Sequence, residues 1–145
     1  MTIHSGAGTV VSIATTSGVS TVDLTGFQAK TYQAVGEIVN IGDFGKKFNV
    51  IKHMPIGTRY TKKLKGSYDN GSLALSMASD NADAGQIILK TASDSDLSYA
   101  FKIVEQDGTT TYFTAQTISF VKKIQGVDSI VLMDASLEID SNLFG

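Results

Sequence analysis

The residues of this chain that could do chemistry are two histidines, His4 and His53, and fourteen carboxylates; there is no cysteine. A catalytic triad needs a nucleophile, a base and an orienting group within reach of one another. His4 lies in a Gly- and Ser-rich N-terminal stretch and His53 in a basic segment, and no Gly-x-Ser-x-Gly elbow is present. An exposed loop imidazole is the better reading of both. A two-carboxylate hydrolase needs one acid in an apolar pocket. The acids here fall in turns and on polar strand faces, as solvated residues do. The missing cysteine removes disulfides, thiolate metal sites and a thiol nucleophile. Asp80, Asp83, Asp94 and Asp96 flank a helical segment without the spacing or glycine of a calcium loop. Gly6-Ala7-Gly8 lacks the third glycine of a dinucleotide fingerprint and has no βαβ unit around it. Asn70-Gly71-Ser72 fits a glycosylation sequon, which a turn explains without a secretory route. The expectation is a chain with no catalytic, metal or cofactor site.

The charges are laid out unevenly. Of twelve Lys+Arg, seven lie together: Lys46, Lys47, Lys52, Arg59, Lys62, Lys63 and Lys65. No Asp or Glu falls between Phe44 and Tyr68, whereas eleven acids face four lysines from Asp69 onward. The formal net charge of −2 conceals this asymmetry. Three readings follow. The segment is a solvated loop. It is a nucleic-acid patch with Phe44, Phe48, Tyr60 and Tyr68 for stacking, against a sequence pI of about 5.5. Or it docks on the acidic surface of an identical subunit, and a head-to-tail contact of that kind makes rings or filaments.

The elements that must carry these residues are mostly strands. At 145 residues, with 42% apolar and 18% charged residues, the chain suits one domain. Fourteen Gly and a single proline, Pro55, fit β-structure with many turns. No segment reaches the length of a membrane span, and MTIHSGAGTVV lacks a signal-peptide pattern, so synthesis is expected in the cytoplasm. Residues 1–30 read as an N-terminal arm or hairpin of the same domain, Thr9–Ala14 and Val19–Leu24 flanking Thr16-Ser17-Gly18. Residues 31–145 read as its main body. Glu37–Ile41 is a short strand ending at Gly42. Residues 42–66 form a long loop, because periodicity is weak and Pro55 argues against a central strand. Leu73, Leu75 and Met77 share a strand face. A helix is expected at about 80–92, capped by Asp80, with Ala84, Ile87, Ile88 and Thr91 on one face and Gly85 fitting it close to a sheet. Tyr99–Val104, Tyr112–Val121 and Ile130–Asp140 alternate as strands, separated by turns at Asp107-Gly108 and Gly126–Asp128. Tyr112, Thr114, Gln116, Ile118 and Phe120 are expected opposite Phe113, Ala115, Thr117 and Ser119. The fold class is mainly β: a sandwich or small barrel with one flanking α-helix.

Over residues 36–140 an ordered set of short stretches resembles the tail tube proteins of long-tailed, lambda-like bacteriophages. The stretches are Gly36–Gly45, Lys63–Leu73, Asp83–Gln86, Tyr99–Ile103 and Asp107-Gly108. They continue with Tyr112–Ala115 and Val127–Ile130, leading to Leu137–Asp140. The resemblance implies a β-sandwich with one flanking helix. Six copies would form a ring whose inner strands join into a barrel around a lumen, and rings would stack into a tube around a tape-measure protein. Tail-tip and terminator proteins would meet its ends, and DNA would pass through without specific binding. The long loop is used for ring stacking in that family, and here it is the basic segment. DNA must slide without sticking, so a lumen with net negative charge is expected. Glu37, Asp134, Glu138 and Asp140 are the candidate lumen acids, and the lysine cluster should point along the tube axis. The alternatives are the inner-tube subunit of a contractile injection or secretion machine, and a monomeric module binding nucleic acid or a surface. The implied location is the virion tail.

Overall fold

Alternating apolar residues set most of the strands. In the computed structural model, which describes residues 3–18 and 23–145, the order is β1 (Val10–Ser17), α1 (Leu24–Gln28), β2 (Tyr32–Val35), β3 (Ile38–Ile41), β4 (Lys47–His53) and β5 (Lys62–Asp69). There follow β6 (Ser72–Ala78), α2 (Ala84–Ser93), β7 (Tyr99–Val104), β8 (Thr110–Lys123) and β9 (Leu132–Ile139). Seven strands form one antiparallel sheet in the order β2-β1-β7-β8-β9-β6-β3, and β4 pairs with β5 separately. The chain is therefore mainly β around a large antiparallel sheet, as expected.

β2 and β3 are opposite edges of that sheet, yet only Gly36 and Glu37 separate them in the chain. The sheet must roll until its edges meet. Glu37 takes a left-handed φ of 59° to make the corner. Phe44, just past β3, packs against Phe113 on β8 with ring centroids 6.1 Å apart, across the roll. The inner face holds Leu73, Leu75 and Met77 of β6, Phe101 and Ile103 of β7, and Met133, Ala135, Leu137 and Ile139 of β9. These are the alternating sets read from the sequence.

Helix α2 closes the open side of the roll. Asp83, not Asp80, is its N-cap, accepting from Gln86 N; Asp80 instead shapes the preceding turn by accepting from Ala82 N. The buried face is Gly85, Gln86, Leu89 and Ala92, so Ile87 points to solvent and Ala84 and Thr91 are exposed. The stripe is turned from the expected one because Gly85 must face the sheet: a Cβ there would lie 2.2 Å from the Ala34 carbonyl oxygen. Gln86 is buried and fully engaged. Its Nε2 donates to Gly36 O and Ala78 O, and its Oε1 accepts from Asp80 N. Asp83 Oδ2 also accepts from Gly36 N at 3.0 Å. One helical turn thus pins the corner between the sheet's two edges.

Four expectations need correction. The segment 42–66 is no loop but largely a hairpin, β4–β5, with Pro55 in its tip; its periodicity is weak because neither strand buries a face. The first strand is held between β2 and β7 in the large sheet, not in a free arm. Of the second strand expected there, residues 19–22 lie outside the described ones, and Leu24 opens α1, a second helix. On β8 the register shifts between Thr117 and Ser119, so Ser119 lies opposite Ser136 and Phe120 turns inward opposite Ala135. A bulge of this kind inverts the alternation beyond it.

On the outer face, α1 lays Phe27 over Ala14 and Ala100, with Tyr32, Tyr112 and Phe144 packed around them. Tyr32 Oη donates to Phe27 O at 2.8 Å. Burial, and then the neighbouring Tyr112, push the Tyr32 phenol up to about 12. A raised acid is favoured in its neutral form, so its contribution is intact below pH ~10 and lost as pH rises toward 12. In an absorbance titration of the five tyrosines, Tyr32→Phe should remove the last-ionising one. An unchanged high-pH limb would contradict this placement.

Candidate assembly site

The seven cations all sit on or beside one projection. Lys46 precedes β4, Lys47 and Lys52 lie on it, Arg59 is in the tip, and Lys62, Lys63 and Lys65 lie on β5. All are exposed. The hairpin stands off the rolled sheet and is tied to it at its base, where Tyr68 Oη hydrogen-bonds the Asn142 side chain and Asn70 Nδ2 donates to Ser141 O.

Residues directly opposite in a hairpin share a face, which sorts this arm into two surfaces. One carries Val50 opposite Lys65 and Lys52 opposite Lys63. Phe48 and Tyr68 pack there with ring centroids 5.2 Å apart, Lys65 Nζ lying 4.9 Å over Phe48 and Lys46 Nζ 4.9 Å over Tyr68. The other carries Ile51 opposite Leu64 and His53 opposite Lys62. Like charges placed directly opposite one another destabilise a pair of strands. Among the described residues no Lys or Arg has a carboxylate within 4 Å; the ion pairs formed are those of His4 with Glu105 and Asp107. The arm therefore sets Lys52 against Lys63, carries a carboxylate only at its base, where Asp69 stands opposite Lys47, and is coated with exposed Val50, Ile51, Met54, Ile56 and Leu64. That is the character of a surface made to be covered.

The second surface is the bare outer face of β8, β9 and β6. Its pairs run Ser72–Glu138, Ala74–Ser136 and Ser76–Asp134, with Gln116, Ser119 and Val121 of β8 alongside. The charges across these pairs are two carboxylates, and one row further, at the end of β8, Lys123 stands opposite Leu132 on the same face. Ser76 Oγ donates to Asp134 Oδ1 at 2.7 Å, leaving Glu138 the more exposed of the two. Asp140 lies just past β9, its carboxylate held by the Ser98 and Thr114 hydroxyls. Glu37 is not on this face: it occupies the corner between β2 and β3. The structure thus gathers Asp134, Glu138 and Asp140 and leaves Glu37 apart.

The two histidines lie apart, one against the β7–β8 turn and one on the arm. His4 Nε2 lies 3.1 Å from Glu105 Oε1 and Nδ1 3.6 Å from Asp107 Oδ2, strapping the N-terminal segment onto the β7–β8 turn. The Thr109 backbone N–H, bonded to Asp107, holds that exposed carboxyl below its usual range. His53 is exposed on the arm beside Lys62. Among the described residues no group of three His, Cys, Asp or Glu is placed to hold a metal, and no helix is long and apolar enough to cross a membrane. Sequence reasoning missed the part played by Gln86 and, although it placed a turn at Gly126–Asp128, the exposed apolar crest of the β8–β9 connection, residues 124–131. The first looks like an ordinary surface residue, but the apolar Ile124, Val127 and Ile130 between turn residues were a readable signal for the second.

No family model matches the chain, and no curated protein matches it. Solved structures do. A chain of the SPP1 tail tube is 14% identical with TM-score 0.68, over 98% of this chain and 78% of that one. A chain of the native gene transfer agent virion is 8% identical with TM-score 0.69, over 98% of each. A chain of the anti-feeding prophage baseplate is 13% identical with TM-score 0.63, over 100% of this chain and 97% of that one. At such identities the likeness is one of fold, and along its full length this chain has the fold shared by phage, gene transfer agent and injection-system tube proteins.

Proposed function

We propose that this chain is a structural subunit of a phage tail tube, acting in the virion tail as copies joined in rings and stacked into a hollow conduit for DNA. The observation that carries the reading is the arm. It projects seven exposed cations, opposed by a single carboxylate at its base, and an apolar coat from a body rich in carboxylates, so its natural cover is another copy of the same chain. Six copies per ring is the expected number; the tail of the empty gene transfer agent particle, which has this fold, is described with C6 symmetry. A tape-measure protein inside and terminator or tip proteins at the ends complete the expected partners. The role is structural.

The bare face of β8, β9 and β6 is the proposed lumen wall. The carboxylates of Asp134 and Glu138 repel phosphate and deny DNA the counterion release that makes basic channels hold it. Asp140 borders that wall, and Glu37 does not belong to it. Particles carrying Ser136→Lys should eject DNA several-fold more slowly at low salt, and the defect should fade as salt rises. Equal ejection rates at low salt would refute the electrostatic wall. Assembly itself is tested by negative-stain electron microscopy of the concentrated protein. Hollow tubes or stacked rings with a central pore are expected, whereas monomers that bind DNA with a steep salt dependence would overturn the reading.

A further inference from the structure

The arm needs an acceptor, and the fold offers one at the far end of the strands that carry it. The arm joins the body where β6 begins, beside the Ser72–Glu138 pair. At the other end of β6 and β9, beyond the Ala78–Leu132 pair, the β8–β9 turn raises Ile124, Val127 and Ile130, exposed by 71%, 104% and 71%. The rim they form is joined to two neighbours: Ser79 N donates to Val131 O, and Ala78 N donates to Glu37 O. Glu37, Asp80 and Asp128 border it, and so do Lys122, which lines one pocket with Asp80, and Lys123 at the end of β8. Two apolar protrusions at opposite ends of one antiparallel pair cannot cover each other within the chain. Between copies they meet head to tail, and that geometry repeats without closing.

We infer that the β8–β9 rim of one copy, centred on Val127 with Ile124 and Ile130, is the docking surface for the β4–β5 arm of the next. Ile51, Leu64 and the tip residues Met54 and Ile56 cover the rim's apolar crest. The arm's lysines reach Glu37, Asp80 and Asp128 around it. This rests on the stacking reading and adds the acceptor to it. It also gives Glu37 a task that the lumen does not.

The absence of cysteine makes the test clean. Both positions are exposed, so the double variant I56C/V127C should fold normally. In concentrated protein a short bis-maleimide should convert it into a ladder of covalent oligomers, one subunit per step. The single variants I56C and V127C should show no ladder, because each lacks one half of the contact. A control pair, I56C/A74C, places the second thiol on the bare sheet face and should crosslink at least 10-fold less. A ladder confined to I56C/V127C supports the rim. Tubes visible by microscopy with no ladder, or equal ladders from the control, overturn the rim while leaving stacking intact. No ladder and no species larger than a monomer overturn both.

Discussion

Reversing three charges on β5 should abolish tube formation while leaving the body folded. In K62E/K63E/K65E each stacking contact changes by six units of charge. At about 0.5 kcal/mol per unit, typical of exposed pairs, this is about 3 kcal/mol per contact, or over 100-fold in the critical concentration. The arm's cross-strand pairing should hold, although Lys65 gives up its place over the Phe48 ring. Lys63 lies opposite Lys52 in the hairpin, so the K63E change replaces a repulsive cross-strand pair with an attractive one. Loss of assembly would then reflect a lost partner and not a lost hairpin. Sedimentation and microscopy read the result, with circular dichroism reporting the fold. A single reversal on the body, K102E, should leave assembly unchanged. Normal tubes from the triple variant would sink the stacking role of the arm.

The second large effect belongs to Gly85. In an exposed helix, replacing Gly by Ala gains about 1 kcal/mol. Here a Cβ would meet Ala34 O at 2.2 Å and Val35 Cα at 2.6 Å, both backbone atoms of β2. β2 cannot retreat freely, because the adjoining Gly36 N is bonded to Asp83 and Gly36 O to Gln86 in the same helical turn. Gly85→Ala should therefore destabilise the fold by about 2–4 kcal/mol and lower Tm by roughly 10 °C. Gly126→Ala, in an open turn with nothing within 4 Å, should leave Tm unchanged. A wild-type Tm for the Gly85 variant would mean that the helix does not lie this close to the sheet.

Strands with one buried face could be read directly. Leu73, Leu75 and Met77, or Met133, Ala135, Leu137 and Ile139, alternate because only one side of each strand meets the core. The β4–β5 hairpin could not be read this way, since both of its faces meet solvent and nothing selects an alternating pattern. β8 was legible as far as Thr117. Past the bulge its inward and outward residues exchange, and no local composition marks where that happens. Helix α1 is five residues long and buries one side chain, Phe27, so it offers no period to detect. The basic cluster was legible as charge but not as geometry. Its assignment to cross-strand pairs, and the recognition that Lys52 and Lys63 confront each other, needed the register. The candidate lumen acids divide likewise: the shared face of Asp134 and Glu138 follows from strand alternation, whereas Glu37 sits at a corner that only the meeting of the sheet's edges defines.

The detachment of the arm bears on how such a tube starts. A two-stranded hairpin standing alone in water is marginally stable at best, and this one also sets Lys52 against Lys63. In the proposed assembly, docking steadies this arm, and a lone pair of subunits recovers little in return. A preformed ring presents several rims at once, so arms that engage together hold one another in place through high local concentration. Growth on an existing end should be fast and new ends rare. The kinetic signature is a lag that vanishes on adding short tube fragments as seeds, which leaves the timing of assembly to whatever supplies the first ring.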